Sequence, residues 1–83
     1  MAAPFKVTIL SSEKKLYEGT ARSLVAPGEM GYLGILTDHA PLLTTLMPGK
    51  ITVKEGSGNT RQFETKVHGF LEVLNNKVTI LID

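Results

Sequence analysis

Apolar and polar side chains alternate with a period of two along much of the chain. In residues 5–9 and again in residues 50–54, the odd-numbered positions are apolar and the even-numbered positions are polar. This period is that of a β-strand with one buried face. Val, Ile and Thr, whose branched β-carbons favour strands over helices, account for 20 of the 83 residues. The pattern predicts a succession of short strands, as in an antiparallel sandwich or barrel.

Turn-forming residues separate these predicted strands. Pro27–Gly28 suits the central positions of a type II turn, because Pro fixes φ and Gly accepts a positive φ. Pro48–Gly49 marks a second turn, and residues 55–59 have the Gly-rich and polar composition of a hairpin loop. Asn tolerates the left-handed conformation, so Asn75–Asn76 predicts a tight hairpin between two apolar runs.

Two other segments are more uniformly apolar. Residues 32–36 and residues 42–47 contain few polar side chains. Strands buried on both faces carry near-continuous apolar runs, whereas half-buried strands alternate. We therefore predict that both segments are strands covered on both faces.

Length and composition predict one small domain, residues 1–83, held together by packing. The chain has no room for a second core and no cysteine for a disulfide or a thiolate nucleophile. Its formal net charge of +1 argues against a chain that mainly coats phosphates. Residues 1–6 do not resemble a signal peptide, and the longest apolar runs are far shorter than the roughly 20 residues that cross a bilayer. These features predict a soluble protein of a reducing compartment.

Neither histidine has the partners that catalysis or metal binding requires. His39 follows Asp38, but neighbouring residues of an extended chain point to opposite sides. The spacing of His, Asp and Glu residues matches neither a metal site nor a catalytic triad. We therefore predict that His39 and His68 are structural or interfacial, and that the protein is not an enzyme and holds no metal.

A glycine motif gives a near match to a nucleotide-binding fingerprint. Gly28, Gly31 and Gly34 form G-x-x-G-x-x-G. The fingerprint requires a tighter first spacing and a helix after the glycines, whereas a predicted strand and another Pro follow here. Turns and close backbone contacts explain the glycines better, so we predict no nucleotide and no other cofactor.

Single-stranded nucleic acid is the alternative ligand to consider. Small five-stranded barrels bind it through stacked aromatic side chains beside a basic groove. The chain has five aromatic residues, but Phe5 and Phe63 lie on core-facing positions and Lys14–Lys15 is a single basic pair. A small barrel that binds nucleic acid is therefore the alternative hypothesis, and it predicts binding that weakens steeply with salt.

Several segments resemble the epsilon subunit of F-type ATP synthases. The most specific is Leu-Gly-Ile-Leu at 33–36 followed by His-Ala-Pro-Leu-Leu-Thr at 39–44. Shorter matches occur in the same order along essentially the whole chain: Tyr-Glu-Gly at 17–19, Val-Ala-Pro-Gly at 25–28, Pro-Gly at 48–49, Gly-Phe-Leu-Glu-Val at 69–73 and Asn-Lys-Val-Thr at 76–79.

This resemblance implies an all-β fold, a flattened antiparallel β-sandwich of about ten short strands. It implies a non-catalytic subunit of the central stalk that couples the gamma subunit to the c-ring during rotary ATP synthesis. The implied partners are gamma and the c-ring, without cofactor or nucleic acid. The implied location is the cytoplasmic face of the bacterial inner membrane, peripheral to the membrane and without direct insertion into lipid.

The resemblance also assigns residues to the gamma subunit. Ser11, His39 and Thr44 occupy positions that face gamma in the family. A domain of this size buries only about 60% of the surface of its unfolded chain, so part of its apolar surface is available for a partner. We expect Leu43 to lie in an exposed apolar patch that binds gamma.

The resemblance places a second contact, with the c-ring, in the turn around Glu29, Met30 and Tyr32. Many relatives carry an acidic residue where this chain has Tyr32, so an aromatic contact is expected in place of a salt bridge. Relatives often have Pro-Gly where this chain has Thr37–Asp38. Asp can adopt the left-handed conformation, so we expect that turn to be kept.

The chain ends at Asp83, directly after the last predicted strand. Many bacterial members of the family continue in a two-helix hairpin that can inhibit ATP hydrolysis and, in some members, binds ATP. The resemblance therefore implies that this polypeptide does not itself inhibit ATP hydrolysis.

Overall fold

A computed structural model describes residues 3–82, whose regular secondary structure consists of strands. Met1 and Asp83, the ends of the predicted domain, lie outside these residues. The strands are β1 (Phe5–Leu10), β2 (Lys15–Gly28), β3 (Gly31–Leu36), β4 (Leu42–Leu46), β5 (Gly49–Glu55), β6 (Thr60–Thr65), β7 (Gly69–Leu74) and β8 (Lys77–Ile82). The described part of the chain contains no helix with the length and hydropathy to cross a membrane.

The long strand β2 belongs to two sheets that pack face to face. Its first half pairs with β1, and its second half pairs with β3 on one edge and β5 on the other. We call the sheet β3–β2–β5–β6 sheet I and the sheet β2–β1–β8–β7–β4 sheet II. The register of β2 shifts between Ala21 and Ser23, and such a bulge bends a strand and increases its twist. This bend carries β2 from one sheet into the other.

One hydrophobic core fills the space between the sheets. The odd-numbered positions of residues 5–9 and 50–54 are buried, which confirms the predicted alternation. Both sheets supply the largest fully buried side chains, which are Phe5, Ile9, Leu24, Ile35, Leu46, Ile51, Leu71 and Ile80.

The all-β sandwich is confirmed, with differences in strand number and direction. The described residues form eight strands rather than about ten, in part because residues 15–28 are one continuous strand. β1 and β8 run parallel, whereas the other pairs are antiparallel. The last strand, β8, lies beside the first strand, β1, in sheet II.

The predicted type II turn at Pro27–Gly28 is wrong. Both residues lie inside β2, where Gly28 pairs with Gly31, so the loop of this hairpin consists of Glu29 and Met30. Pro27 fits the strand because the pairing at this position uses its carbonyl, which accepts a hydrogen bond from the Met47 N–H at 2.8 Å. No backbone N–H is required there.

The two other hairpin predictions are confirmed. Residues 55–59 connect β5 to β6, where the Glu55 N–H donates to the Asn59 carbonyl at 2.7 Å. Asn75 and Asn76 connect β7 to β8 with φ of 50° and 59°. Both Asn residues therefore adopt the left-handed conformation that a two-residue hairpin loop requires.

The prediction that residues 32–36 and 42–47 are covered on both faces is wrong. Tyr32 is 61% exposed, Leu36 64% and Leu43 72%. The molecule has two layers, so each strand has one face on the core and its other face on the surface. The apolar side chains on those outer faces therefore do not belong to the core.

A cluster around Tyr17 ties sheet II to sheet I. The Tyr17 hydroxyl donates to Glu55 Oε2, and its ring lies 5.3 Å from the ring of Phe63 and 5.3 Å from the Arg61 guanidinium carbon. Burial, the hydrogen bond to Glu55 and the charge of that carboxylate raise the pKa of Tyr17 to about 12. Gly19 makes room for this ring, since a Cβ there would lie 2.5 Å from the Tyr17 hydroxyl oxygen.

We predict that Gly69→Ala destabilises the sandwich. A Cβ at Gly69 would overlap the Leu81 backbone carbonyl and lie 3.2 Å from Ile82 Cγ2, so β8 would have to move. Overpacking of this kind costs about 2 kcal/mol, measurable as a lower free energy of unfolding in urea. Gly34→Ala is the control, because no atom lies within 4 Å of its added Cβ. Equal stability of the two variants would contradict the prediction.

Candidate interaction surfaces

An apolar row crosses the outer face of sheet II. Strand register places Phe70 opposite Leu81 and Leu81 opposite Leu10. Their neighbours Leu71 and Ile80 point into the core, so these three side chains point outward. Phe70 is 56% exposed and Leu81 41%. Apolar side chains that are exposed and aligned across three strands form a continuous patch. Apolar residues scattered singly over a surface do not form one.

Leu43 extends this apolar surface onto β4. It lies opposite Glu72 in the register of β4 with β7 and, at 72%, is among the most exposed apolar side chains of the described chain. Leu43 and Leu74, which is 48% exposed, line a shallow depression of about 260 Å³ together with Pro41. The outer faces of β4 and β7 therefore form one apolar surface with a charged residue, Glu72, inside it.

Charged side chains border the apolar row on β8, β1 and β2. Lys77 lies beside Lys6 in the parallel pairing of β8 with β1, and Glu18 lies opposite Thr8. Glu18 forms an ion pair with Lys15 at 3.0 Å, which is exposed and contributes little to stability. Both signs of charge thus flank the apolar surface.

The β3–β4 loop is held by the β7–β8 hairpin. The Asp38 N–H donates to Asn76 Oδ1 at 2.6 Å, and Asn76 Nδ2 donates to Asp38 Oδ1 at 2.9 Å. We call this reciprocal pair the Asp38–Asn76 clasp. Asp38 has a φ of 62°, which confirms that Asp adopts the left-handed conformation in this turn.

His39 follows the clasp and is held by contacts within its own turn. The His39 N–H donates to the Leu36 carbonyl at 3.2 Å, and His39 Nδ1 lies 2.7 Å from the Ala40 carbonyl oxygen. The ring is half-buried. No three His, Cys, Asp or Glu side chains among residues 3–82 are grouped closely enough to hold a metal ion.

The four residues expected at the gamma subunit do not form one cluster. Ser11 follows β1 at the end of sheet II where Leu46 pairs with Gly69. His39 lies at the opposite end, beside the Asn76 hairpin. Thr44 is half-buried and faces inward with Leu46, so Leu43 alone of the four lies on the open outer face.

Ser11 closes the turn that follows β1. Its N–H donates to the Lys14 carbonyl at 2.9 Å, and its hydroxyl oxygen accepts from the N–H groups of Glu13 at 3.3 Å and Lys14 at 3.2 Å. The side chain therefore has a local structural role in addition to its position at the surface.

The three residues expected at the c-ring do lie together, on the β2–β3 hairpin. Glu29 and Met30 form its two-residue loop, and both are exposed, Met30 completely. Tyr32 lies across the outer face, where its hydroxyl is 3.4 Å from the Lys50 N–H. A Cβ on Gly49 would lie 3.0 Å from that hydroxyl, so the Tyr32 ring packs closely over the start of β5.

Sequence reasoning missed most of the apolar row. Phe70 and Leu81 of this row, and Leu74 beside it, lie in the two apolar runs that flank the predicted Asn75–Asn76 hairpin, and no surface is predicted there. Their strands carry apolar residues at both odd and even positions, whereas β1 carries Lys6 and Thr8 on its outer face. In a two-layer fold, a strand with apolar residues at both odd and even positions indicates an exposed apolar surface.

The sequence and the fold define the class to which the chain belongs. The family model for the β-sandwich domain of ATP synthase delta/epsilon chains matches residues 4–83, so the chain belongs to that family. The ATP synthase epsilon chain of Acidithiobacillus ferridurans is 45% identical over 83 residues, which are 100% of this chain and 57% of that protein. The epsilon chain of Xanthomonas euvesicatoria pv. vesicatoria is 47% identical over 75 residues, 90% of this chain and 53% of that protein. The chain thus spans about half the length of the curated relatives it matches.

Two solved structures share the fold. One chain of the Euglena gracilis mitochondrial ATP synthase, in a structure of OSCP, F1 and c-ring, matches 99% of this chain and 52% of its own length with a TM-score of 0.89 and 20% identity. A chain of the Tetrahymena thermophila central stalk and c-ring matches 98% of this chain and 64% of its own length, with a TM-score of 0.75 and 19% identity. The expected family is confirmed.

The comparisons do not support the nucleic-acid alternative, and the burial of the aromatic residues gives a physical reason. Phe5 is 2% exposed and Tyr17 is 7% exposed, and Phe63 packs against the core. These rings are not available for stacking on bases. The exposed Phe70 lies in an apolar row rather than in a basic groove.

We predict that Asn76→Asp loosens the β3–β4 loop. The substitution replaces the amide donor of the clasp with a carboxylate facing Asp38, so we expect a loss of about 1 kcal/mol of stability and faster hydrogen exchange of the His39 N–H. Protonation of one of the two facing carboxylates at acidic pH should restore part of the loss. Asn75→Asp is the control. Asn75 has a φ similar to that of Asn76, and neither hydrogen bond of the clasp involves it. Identical behaviour of both variants would show that the clasp does not hold the loop.

Proposed function

We propose that this chain is the β-sandwich domain of an epsilon subunit and acts as a non-catalytic part of the ATP synthase central stalk. In this role it couples the gamma subunit to the c-ring during rotary ATP synthesis. The proposal draws on membership of the delta/epsilon family and on relatives that are ATP synthase epsilon chains. The Tetrahymena structure that shares the fold contains the central stalk and c-ring.

The architecture suits a part that transmits torque. A coupling element must deform little under load, and close-packed protein interiors have low compressibility. Strand β2 runs through both sheets without interruption, and the Tyr17 cluster adds a second connection between them. Relative sliding of the two sheets would break both connections.

The outer face of sheet II is the surface that we assign to gamma. The observation that carries this assignment is the exposed apolar surface formed by Leu43, Leu74 and the apolar row, which a monomer would not ordinarily leave in water. His39 and Ser11 lie at the two ends of the same sheet and would mark the extent of the contact. Thr44 faces inward and would contribute from the edge of β4.

The β2–β3 hairpin is the surface that we assign to the c-ring. Glu29 offers a carboxylate, and Met30 offers an apolar side chain that has no contact within the domain. Tyr32 supplies an aromatic surface at the base of the hairpin. We place this contact with the polar loops of the ring at the cytoplasmic face of the bacterial inner membrane, without insertion into lipid.

We predict that Leu43→Asp weakens gamma binding without unfolding the domain. A carboxylate buried against an apolar partner without a hydrogen bond loses its hydration, so we expect the dissociation constant to rise about tenfold or more. The thermal midpoint should stay unchanged because the side chain is 72% exposed. Leu36→Asp is the matched control, since Leu36 is 64% exposed on the outer face of sheet I.

Binding of each variant to purified gamma subunit by calorimetry tests this assignment. Equal affinities of the Leu43 and Leu36 variants would remove gamma from the outer face of sheet II. Unfolding of the Leu43 variant would show that the side chain belongs to the core.

We predict that Met30→Asp weakens binding to the c-ring and leaves gamma binding intact. Met30 is completely exposed, so the domain should keep its stability, while the apolar contact at the hairpin tip is lost. Co-sedimentation with gamma and detergent-solubilised c-ring should show about a fivefold loss of affinity. Ser57→Asp, at the exposed tip of the β5–β6 hairpin, is the control. A similar loss for both would indicate a general charge effect rather than a contact of the β2–β3 hairpin.

A further inference from the structure

Strand β3 forms an edge of sheet I that has no partner. Within residues 3–82, β3 pairs with β2 alone. The strand has the sequence Gly-Tyr-Leu-Gly-Ile-Leu, with no charged residue and no proline. An exposed edge of this kind is a template for another strand, which proteins usually prevent with charges, proline or bulges.

The other free edges of the sandwich carry that protection. Strand β6, at the opposite end of sheet I, contains Arg61 and Glu64. Strand β4, at the end of sheet II, lies between Pro41 and Pro48, and its last residue pairs with Gly28. Among the described strands, β3 alone has a free edge without these features.

Strand register shows which backbone groups face this edge. Gly28 and Gly31 flank a two-residue loop, so they exchange backbone hydrogen bonds with each other. Hydrogen-bonded pairs then alternate with non-hydrogen-bonded pairs along the hairpin. The Pro27 carbonyl fits this alternation, because it points away from β3 to the Met47 N–H at 2.8 Å. The N–H and C=O groups of Tyr32 and Gly34 and the N–H of Leu36 therefore point to the free edge, whereas the Leu36 carbonyl already accepts from the His39 N–H at 3.2 Å.

We propose that this edge binds a second copy of the chain, with β3 paired antiparallel to β3 of the copy across a two-fold axis at Gly34. In this register Gly34 lies opposite Gly34, Tyr32 opposite Leu36, and Leu33 opposite Ile35. Gly34 then exchanges two backbone hydrogen bonds with Gly34 of the copy, and the Leu36 N–H of each strand donates to the Tyr32 carbonyl of the other, about four bonds in all. An interface of this kind is isologous, so one strand supplies both halves of the contact.

Side-chain packing selects this register over its neighbours. A shift of one residue would place the exposed Tyr32 opposite the buried Ile35, on the wrong face of the joined sheet. A shift of two residues would place Tyr32 opposite Gly34 and lose its contact with Leu36. Aromatic and aliphatic side chains directly opposite each other stabilise antiparallel pairs, and the proposed register forms two such pairs on the outer face when the Tyr32 ring, which packs over the start of β5 in the monomer, turns toward the edge.

A second copy fits this edge because the strand is self-complementary in both chemistry and spacing. Tyr32 and Leu36 lie at equal distances from Gly34 in sequence and are exposed to similar extents, 61% and 64%. Gly34 presents no side chain at the axis. The inference goes beyond the proposed function and does not depend on it, but Tyr32 belongs to both surfaces, so self-pairing and c-ring binding would compete.

Sedimentation equilibrium of the chain from about 5 μM to about 500 μM tests the proposal. We expect a species of twice the monomer mass at high concentration. Gly34→Lys should raise the dimer dissociation constant at least about tenfold, because two like charges would meet at the axis. The monomer should stay folded, since no atom lies within 4 Å of a Cβ at Gly34. Gly34→Ala should still dimerise, and so should Gln62→Lys, which adds the same charge to exposed β6.

A single cysteine tests the register, because the natural chain has none. Gly34→Cys should form an intermolecular disulfide on mild oxidation, since directly opposed residues have the Cα separation that a disulfide needs. Gln62→Cys should not crosslink under the same conditions. A chain that stays monomeric, a dimer that survives Gly34→Lys, or equal crosslinking of the two cysteine variants would overturn the proposal.

Discussion

Backbone hydrogen bonding along β2 is the constraint on which the rest of this fold depends. The strand pairs with β1, β3, β4 and β5, and the bulge between Ala21 and Ser23 bends it from one sheet to the other. A strand that passes through both layers fixes the angle between them and leaves one core to be filled. The Tyr17 cluster, which joins the same two layers through side chains, packs where this bend brings β2, β5 and β6 together.

The two-layer arrangement also explains the surface of the molecule. Each strand has one face on the core, so apolar side chains at both odd and even positions of β4, β7 and β8 cannot all be buried. The excess lies on the outer face of sheet II as Leu43, Leu74 and the apolar row. An exposed apolar surface of this kind on a domain of about this size is best explained by a partner that covers it. The family to which the chain belongs provides the proposed partner.

The strands and most turns followed from the sequence because their causes are local. The alternation in residues 5–9 and 50–54, and the tolerance of Asn75 and Asn76 for positive φ, act over a few residues. The resemblance to the epsilon family rested on the order of short motifs and was likewise available without a structure. Of the proposed sites, the contact at Glu29 and Met30 came from the family resemblance, and the structure places both residues in one exposed two-residue loop.

Amino-acid order by itself therefore determined the all-β class, the main hairpins and the family. The tertiary structure decided where each strand ends and which of its faces meets water. Pro27–Gly28 has the local preferences of a turn but forms part of a strand, because β3 and the Met47 N–H take up the backbone groups of β2 around it. Asp38 and Asn76 form a clasp although 38 residues separate them. Such contacts depend on which distant strands become neighbours, and that information lies in the packing of the whole core rather than in any short stretch of sequence.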